Sequence, residues 1–184
     1  MQEKYNWDLT DLFKNKEEFQ KAIENMKQDL KEIQKYKGIL CDNSDNLYEC
    51  YNLYEKILMD FDKIYSYGMF SYHLDMANQE GIKLFKEVES LSSEFSTLTS
   101  YITPEIISAD ENVIRKFLKE DSRLKKYERD INDTLEKKKH ILSKEAENIL
   151  ASYSEVFSAP ENIFDILTNA EFKFGTLIDE NGKE

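Results

Sequence analysis

Scarcity of helix breakers decides the fold class of this chain. Only two prolines and five glycines are spread over 184 residues. Proline costs a helix interior about 3 kcal/mol and glycine about 1 kcal/mol relative to alanine, so long stretches here contain nothing that must stop a helix. Within those stretches apolar residues recur at alternating steps of four and three, the period that places side chains on one helical face.

Phe19, Ile23, Met26, Leu30 and Ile33 form the first such stripe. Asn15 is the expected cap, with Glu18 positioned to reach back as in a capping box, and the helix is expected to end near Gly38. A second helix is predicted after Ser44 or Asp45, with the stripe Leu47, Tyr51, Tyr54, Leu58, Phe61, Tyr65, Gly68 and Tyr72. A third starts near Asn78 and carries Leu84, Val88, Leu91, Phe95, Leu98 and Ile102 up to Thr103-Pro104, where proline disfavours helical geometry in the residue before it. Stripes of this length pack as antiparallel neighbours. Gly68, inside the second helix, is expected to mark a close helix approach or a kink. Before the first helix, Tyr5, Trp7, Leu9, Leu12 and Phe13 form an apolar segment expected to dock onto the body of the protein.

Beyond Pro104 the signals shorten. One helix is expected from about Glu105, another over Val113 to Leu118, and a longer one with the stripe Leu124, Tyr127, Ile131, Leu135 and Lys138. Ser143 reads as the N-cap of a helix that buries Ile149, Leu150, Tyr153 and Phe157, with Glu145 and Glu147 complementing its dipole. Pro160 reads as the start of a last helix with Ile163, Ile166 and Leu167 facing inward. Phe172, Phe174, Leu177 and Ile178 then look extended, and Asn181-Gly182 is a hairpin signal with only Lys183 and Glu184 after it. The expected fold is all-α: an antiparallel bundle of long helices (1–110), then shorter helices (111–184), together one compact lobe. A strand-like C-terminal segment is expected to be truncated at the hairpin turn.

The formal net charge of -12 repels phosphate backbones and anionic lipid at long range, which sets aside nucleic-acid and membrane-surface roles. The basic run Lys137-Lys138-Lys139-His140 lies among Asp130, Asp133, Glu136, Glu145 and Glu147 and reads as a solvated helix face. Cys41 and Cys50 are the only cysteines and read as reduced, structural residues. With no apolar signal segment at Met1-Gln2-Glu3-Lys4-Tyr5 and no run of about 18 apolar residues, a cytoplasmic location is expected.

Chemistry is sparse. The histidines His73 and His140 belong to no His-Glu-x-x-His or Glu-x-x-His pattern, and no Cys-x-x-Cys or glycine-rich phosphate loop occurs. His73 reads as an ordinary helix histidine, and His140 as a helix-junction residue whose imidazole satisfies terminal carbonyls. Tyr51, Tyr54, Tyr65 and Tyr72 read first as core, with a peptide-cleft lining as the alternative. No catalytic, cofactor-binding or metal-binding residue is assigned.

Several segments are nonetheless distinctive in their order: Trp7-Asp8-Leu9-Thr10-Asp11-Leu12-Phe13; Pro104-Glu105-Ile106 after a long helix; Lys139-His140-x-Leu142-Ser143-x-x-x-Glu147-x-x-Leu150-Ala151; and Asn169-Ala170-x-x-x-Phe174 with Asp179-Glu180-x-Gly182. Together they resemble the N-terminal region of oligoendopeptidase F, a branch of the thimet-oligopeptidase-like zinc metallopeptidases. The resemblance implies a parent enzyme that cleaves internal bonds of oligopeptides. Its zinc would be held by two histidines of a His-Glu-x-x-His helix and a glutamate of a following helix, all downstream of residue 184. This chain would then be an inactive helical lobe that shapes access to the substrate channel and has the absent C-terminal catalytic domain as its partner. The rival reading is a stand-alone acidic helical module for protein interaction or oligomerisation.

Overall fold

The computed structural model describes residues 7–75, 77–138, 146, 149–150, 152–168, 172 and 175. Every regular element among the described residues is helical, as the breaker-poor sequence requires. By contact density the chain divides into two units, Met1–Lys139 and His140–Glu184.

In the first unit, α1 spans Lys16–Ile33, and Phe19, Ile23, Met26, Leu30 and Ile33 are all buried, as their spacing predicts. The Asn15 side chain accepts from the Glu18 amide at 2.9 Å, and the Glu18 carboxylate accepts from the Lys14 amide at 2.9 Å. That is the expected capping box, displaced by one residue on its return arm. Asn15→Ala removes the side-chain acceptor of the Glu18 amide, and is expected to lower stability by about 1 kcal/mol. The shift in the urea midpoint measures it, with Asn15→Asp expected to retain most of the stability.

A 3-10 turn, Gln34–Tyr36, leads to Gly38, whose φ of 84° is the one left-handed backbone conformation among the described residues. Helix α2 (Ser44–Leu74) is capped by Asn43, and α3 (Gln79–Thr99) by Asn78. The directions of the three helices follow from their side-chain pairs. Lys16 pairs with Glu80 and Gln34 bonds the Leu98 carbonyl, so α1 and α3 run the same way. Phe19 meets Tyr67 and Asp29 meets Lys56, so α2 runs against both.

Because α2 packs on α1 and on α3, its buried surface is wider than a single stripe. Cys50, Ile57 and Ile64 are fully buried, whereas Leu58, on the predicted stripe, is 38% exposed. Four other stripe residues build an aromatic seam with α3. Tyr54 and Phe61 lie against Phe95, and Tyr65 and Tyr72 against Phe85, with the last pair stacked at 5.2 Å. Gly68 marks a close approach: a Cβ built there would sit 2.7 Å from Cγ2 of Val88 on α3. Ahead of α1, Phe13 is buried edge-on to Phe19 and Tyr67, while Trp7 stays largely exposed against Phe70. Tyr5 lies outside the described residues.

The segment around Pro104 departs from expectation. Helix α3 ends at Thr99, and α4 (Ile102–Ser108) already includes Thr103 and Pro104. Pro104 falls in the first turn, where its missing N–H has no intrahelical partner to lose. Ile102 therefore belongs to the new helix, with Ile106 fully buried beside it in sequence. Helix α5 (Glu111–Glu120), a 3-10 segment (Ser122–Tyr127) and α6 (Glu128–Lys137) complete the unit, with Leu124, Tyr127, Ile131 and Leu135 buried. Arg123 anchors this return: its guanidinium lies 4.6 Å from the Tyr48 ring and pairs with Asp45 and Asp121. Hydrogen bonds from Arg123 hold the Asp121 carboxyl down at about 2.

In the second unit, α7 spans Ser154–Ile166, and Pro160 lies inside it rather than at its start. A proline there removes one i to i−4 hydrogen bond, to the Val156 carbonyl. The expected burial is also reversed. Ile149, Leu150, Tyr153, Phe157, Ile163 and Leu167 are all exposed. The predicted Ser143 cap and the Asn181-Gly182 hairpin with its strand lie outside the described residues.

Candidate functional site

The first unit contains a polar cleft between α2 and α6, closed at one end by the α3–α4 junction. It has a volume of about 140 Å³ and is lined by Tyr51, Tyr54, Thr99, Thr103, Asp130 and Thr134, together with Ile102 and Lys137. Helical spacing assembles it. Tyr51 and Tyr54 are one turn apart on α2, while Asp130, Thr134 and Lys137 follow the i, i+4, i+7 line of α6.

Burial, and then the neighbouring Asp130 carboxylate, raise the pKa of the Tyr51 and Tyr54 hydroxyls, so both remain protonated donors at neutral pH. The cleft offers hydrogen bonds and both signs of charge, but no histidine or thiol among its lining residues. At 140 Å³ it is smaller than the roughly 300 Å³ at which small-molecule pockets begin. It suits a single side chain or a few waters.

The four tyrosines weighed as a peptide cleft do not converge. Tyr51 and Tyr54 line the cleft, Tyr65 sits in the aromatic seam, and Tyr72 borders a separate shallow depression with Ile82, Phe85 and Lys86. His73 is exposed beside the Tyr72 ring. Lys137 lines the cleft and Lys138 donates to the Ala109 carbonyl at 3.2 Å. Lys139 and His140 lie outside the described residues. Asp130, the carboxylate nearest both cleft tyrosines, carries no sequence signal that separates it from the many other acidic residues.

Cys41 and Cys50 are free thiols. Tyr101 donates to the Ile33 carbonyl at 2.6 Å, which leaves Cys50 to donate to the Tyr101 oxygen at 3.6 Å, and Cys41 donates to the Glu105 carbonyl at 3.8 Å. Burial pushes both thiols from 9.0 up to about 11. Raised folded-state values mean that the unfolded chain releases these protons first, so the thiols' contribution to stability is level below pH 9 and falls between pH 9 and 11. The buried tyrosines add to the fall above pH 10. Urea midpoints taken from pH 7 to 11 are expected to trace this decline, and Cys50→Ala is expected to make its lower half shallower, with the Cys41 contribution left.

Among the described residues no group of three or more His, Cys, Asp or Glu side chains is arranged to hold a metal ion. Among the described residues no helix is long and apolar enough to cross a membrane.

Comparison with known proteins supplies what the cleft does not. Residues 105–174 match the family model described as Oligopeptidase F. Oligopeptidase PepF of Bacillus subtilis is 32% identical over 178 residues, covering 97% of this chain and 27% of the relative. An oligoendopeptidase F homolog of Borreliella burgdorferi is 36% identical over 171 residues, covering 93% of this chain and 29% of its own length. The crystal structure of oligoendopeptidase-F from Enterococcus faecium superposes with a TM-score of 0.67 at 28% identity, over 91% of this chain and 32% of that one. The chain belongs to the oligoendopeptidase F family. It corresponds to the N-terminal domain of that family and spans under a third of the length of the relatives it matches. The oligoendopeptidase F match runs through α4, α5, α6 and α7, so it includes the α6 side of the cleft as well as the exposed face of α7.

Proposed function

We propose that this chain is the N-terminal helical lobe of a zinc metallo-endopeptidase that hydrolyses internal bonds of oligopeptides in the cytoplasm, and that the lobe limits what enters the substrate channel. The observation that carries this reading is the match to oligoendopeptidase F relatives over 93% to 97% of the chain, against only 27% to 29% of theirs. Among the described residues no group of three or more His, Cys, Asp or Glu side chains fits a zinc site, and His73 stands exposed. On this reading the metal's ligands and the general base belong to the portion of the enzyme that follows residue 184. Packed helices with an aromatic seam suit a wall, because a close-packed interior deforms little when a substrate presses on it.

The test compares the full-length enzyme with a form lacking residues 1–184, on quenched fluorescent oligopeptides of increasing length and on a folded protein. Full-length enzyme is expected to cut the short peptides and spare the folded protein. The deleted form is expected to lose this length limit or its solubility. A deleted form that stays soluble with unchanged length preference would overturn the lobe's role. The 184-residue chain alone, supplied with zinc, is expected to cut nothing, and recombination with the separately made downstream portion is expected to restore cleavage.

A further inference from the structure

We infer that the apolar face of α7 is the docking surface for the portion of the enzyme that follows this domain, an inference resting on the lobe reading above. Val156 is 61% exposed, Phe157 64%, Ile163 63% and Phe164 63%, and Leu167 is exposed beside them. At about 100° per residue these side chains fall within an arc of roughly 120°, and Pro160 lies in the middle of it. Ser158 and Glu161 fall outside the arc. A helix this clearly two-faced, with its apolar side in water, has the pattern of an interface missing its other half.

Two observations select the occupant. The first is length: the matched relatives extend well beyond the region aligned with this chain, which fills only 27% to 32% of them. The chain is their N-terminal domain, so most of what is absent follows α7 in sequence. A segment of the same chain meets α7 intramolecularly, at an effective concentration of order millimolar for a short flexible tether, above that of a free partner. The second is charge: a net -12 makes two copies of this chain repel at long range, which disfavours a second copy as the cover. The position of α7 within the matched stretch 105–174 places the face inside the family's own pattern.

Hydrogen exchange read by mass spectrometry tests the inference on the 184-residue chain and on the full-length enzyme. Amides of residues 156–167 are expected to exchange about 100-fold more slowly in the full-length enzyme. Phe157→Asp combined with Ile163→Asp is expected to abolish that difference while leaving exchange in α1, α2 and α3 unchanged. Equal exchange of the two wild-type proteins would overturn the inference without relying on any variant. So would protection already present in the 184-residue chain: concentration-dependent protection would assign the face to a second copy, and concentration-independent protection to other residues of the same chain. Peptidase activity is measured on the same full-length preparation. Protection without hydrolysis would sink the peptidase reading alone, and hydrolysis without protection would sink the docking surface alone.

Discussion

Gly81→Ala is expected to destabilise the first unit by about 2 to 3 kcal/mol, more than its small size suggests. A Cβ built at Gly81 lies 2.7 Å from the Ser71 carbonyl oxygen and 3.3 Å from the Tyr72 Cα. Both are backbone atoms of α2, so relief requires moving α3 away from α2 at the end where residues 75–78 tether them. Such a shift also loosens the Tyr72–Phe85 stack and the Lys16–Glu80 pair. The modest propensity gain of alanine in a helix offsets only part of this. Gly68→Ala is expected to cost less, because the atom it meets at 2.7 Å is a methyl of Val88. Gly38→Ala has open space around it and carries only the strain of its φ of 84°, about 1 kcal/mol. Urea denaturation should rank the three in the order 81, 68, 38. A mild Gly81→Ala would mean that the α2–α3 contact is not as close as described.

Phe19→Ala is expected to cost about 3 to 5 kcal/mol, the largest loss from any single side chain considered. Phe19 is fully buried, with the Phe13 ring edge-on at 5.5 Å and the Tyr67 ring at 4.9 Å. It joins α1, α2 and the segment ahead of α1, so its removal leaves a cavity walled by rigid rings that collapse poorly. Phe157→Ala deletes the same number of atoms from α7, yet in the isolated chain it is expected to change stability by under about 0.5 kcal/mol. Two phenylalanines with opposite outcomes are a direct measure of which apolar face the domain itself uses. The full-length enzyme is expected to feel Phe157→Ala once the face is covered.

Local rules carried much of the reading. Asn15 as a cap and the buried line Phe19 to Ile33 depend on contacts within a few residues or on one helical period, whereas α2 is capped by Asn43, just ahead of its expected start. Where expectations failed, something distant in sequence intervened. Leu58 was read inward because a single stripe was assumed, yet α2 has neighbours on two sides and buries Ile57 and Ile64 instead. Pro104 was read as a stop, but the chain had already turned at Ser100 and Tyr101, which left the proline in a first turn where it is harmless. Ile163 and Leu167 share a real apolar arc, which predicts burial, yet both are exposed.

The same division separates the candidate cleft from the family. Tyr51, Thr103, Asp130 and Thr134 come from three helices, and no periodicity links residues separated by whole elements, so their meeting was not legible beforehand. The resemblance to oligoendopeptidase F was, because it rests on ordered local segments. By itself the sequence determined the helical class, the Asn15 cap, the inward line of α1 and the family resemblance, since each is written in short-range spacing and composition. Only the tertiary structure decided which sides of α2 are buried, why Gly81 must be glycine, where the polar cleft lies and that α7 turns its apolar face to water. Those depend on which surfaces meet, and burial is a property of the pair of surfaces rather than of either segment alone.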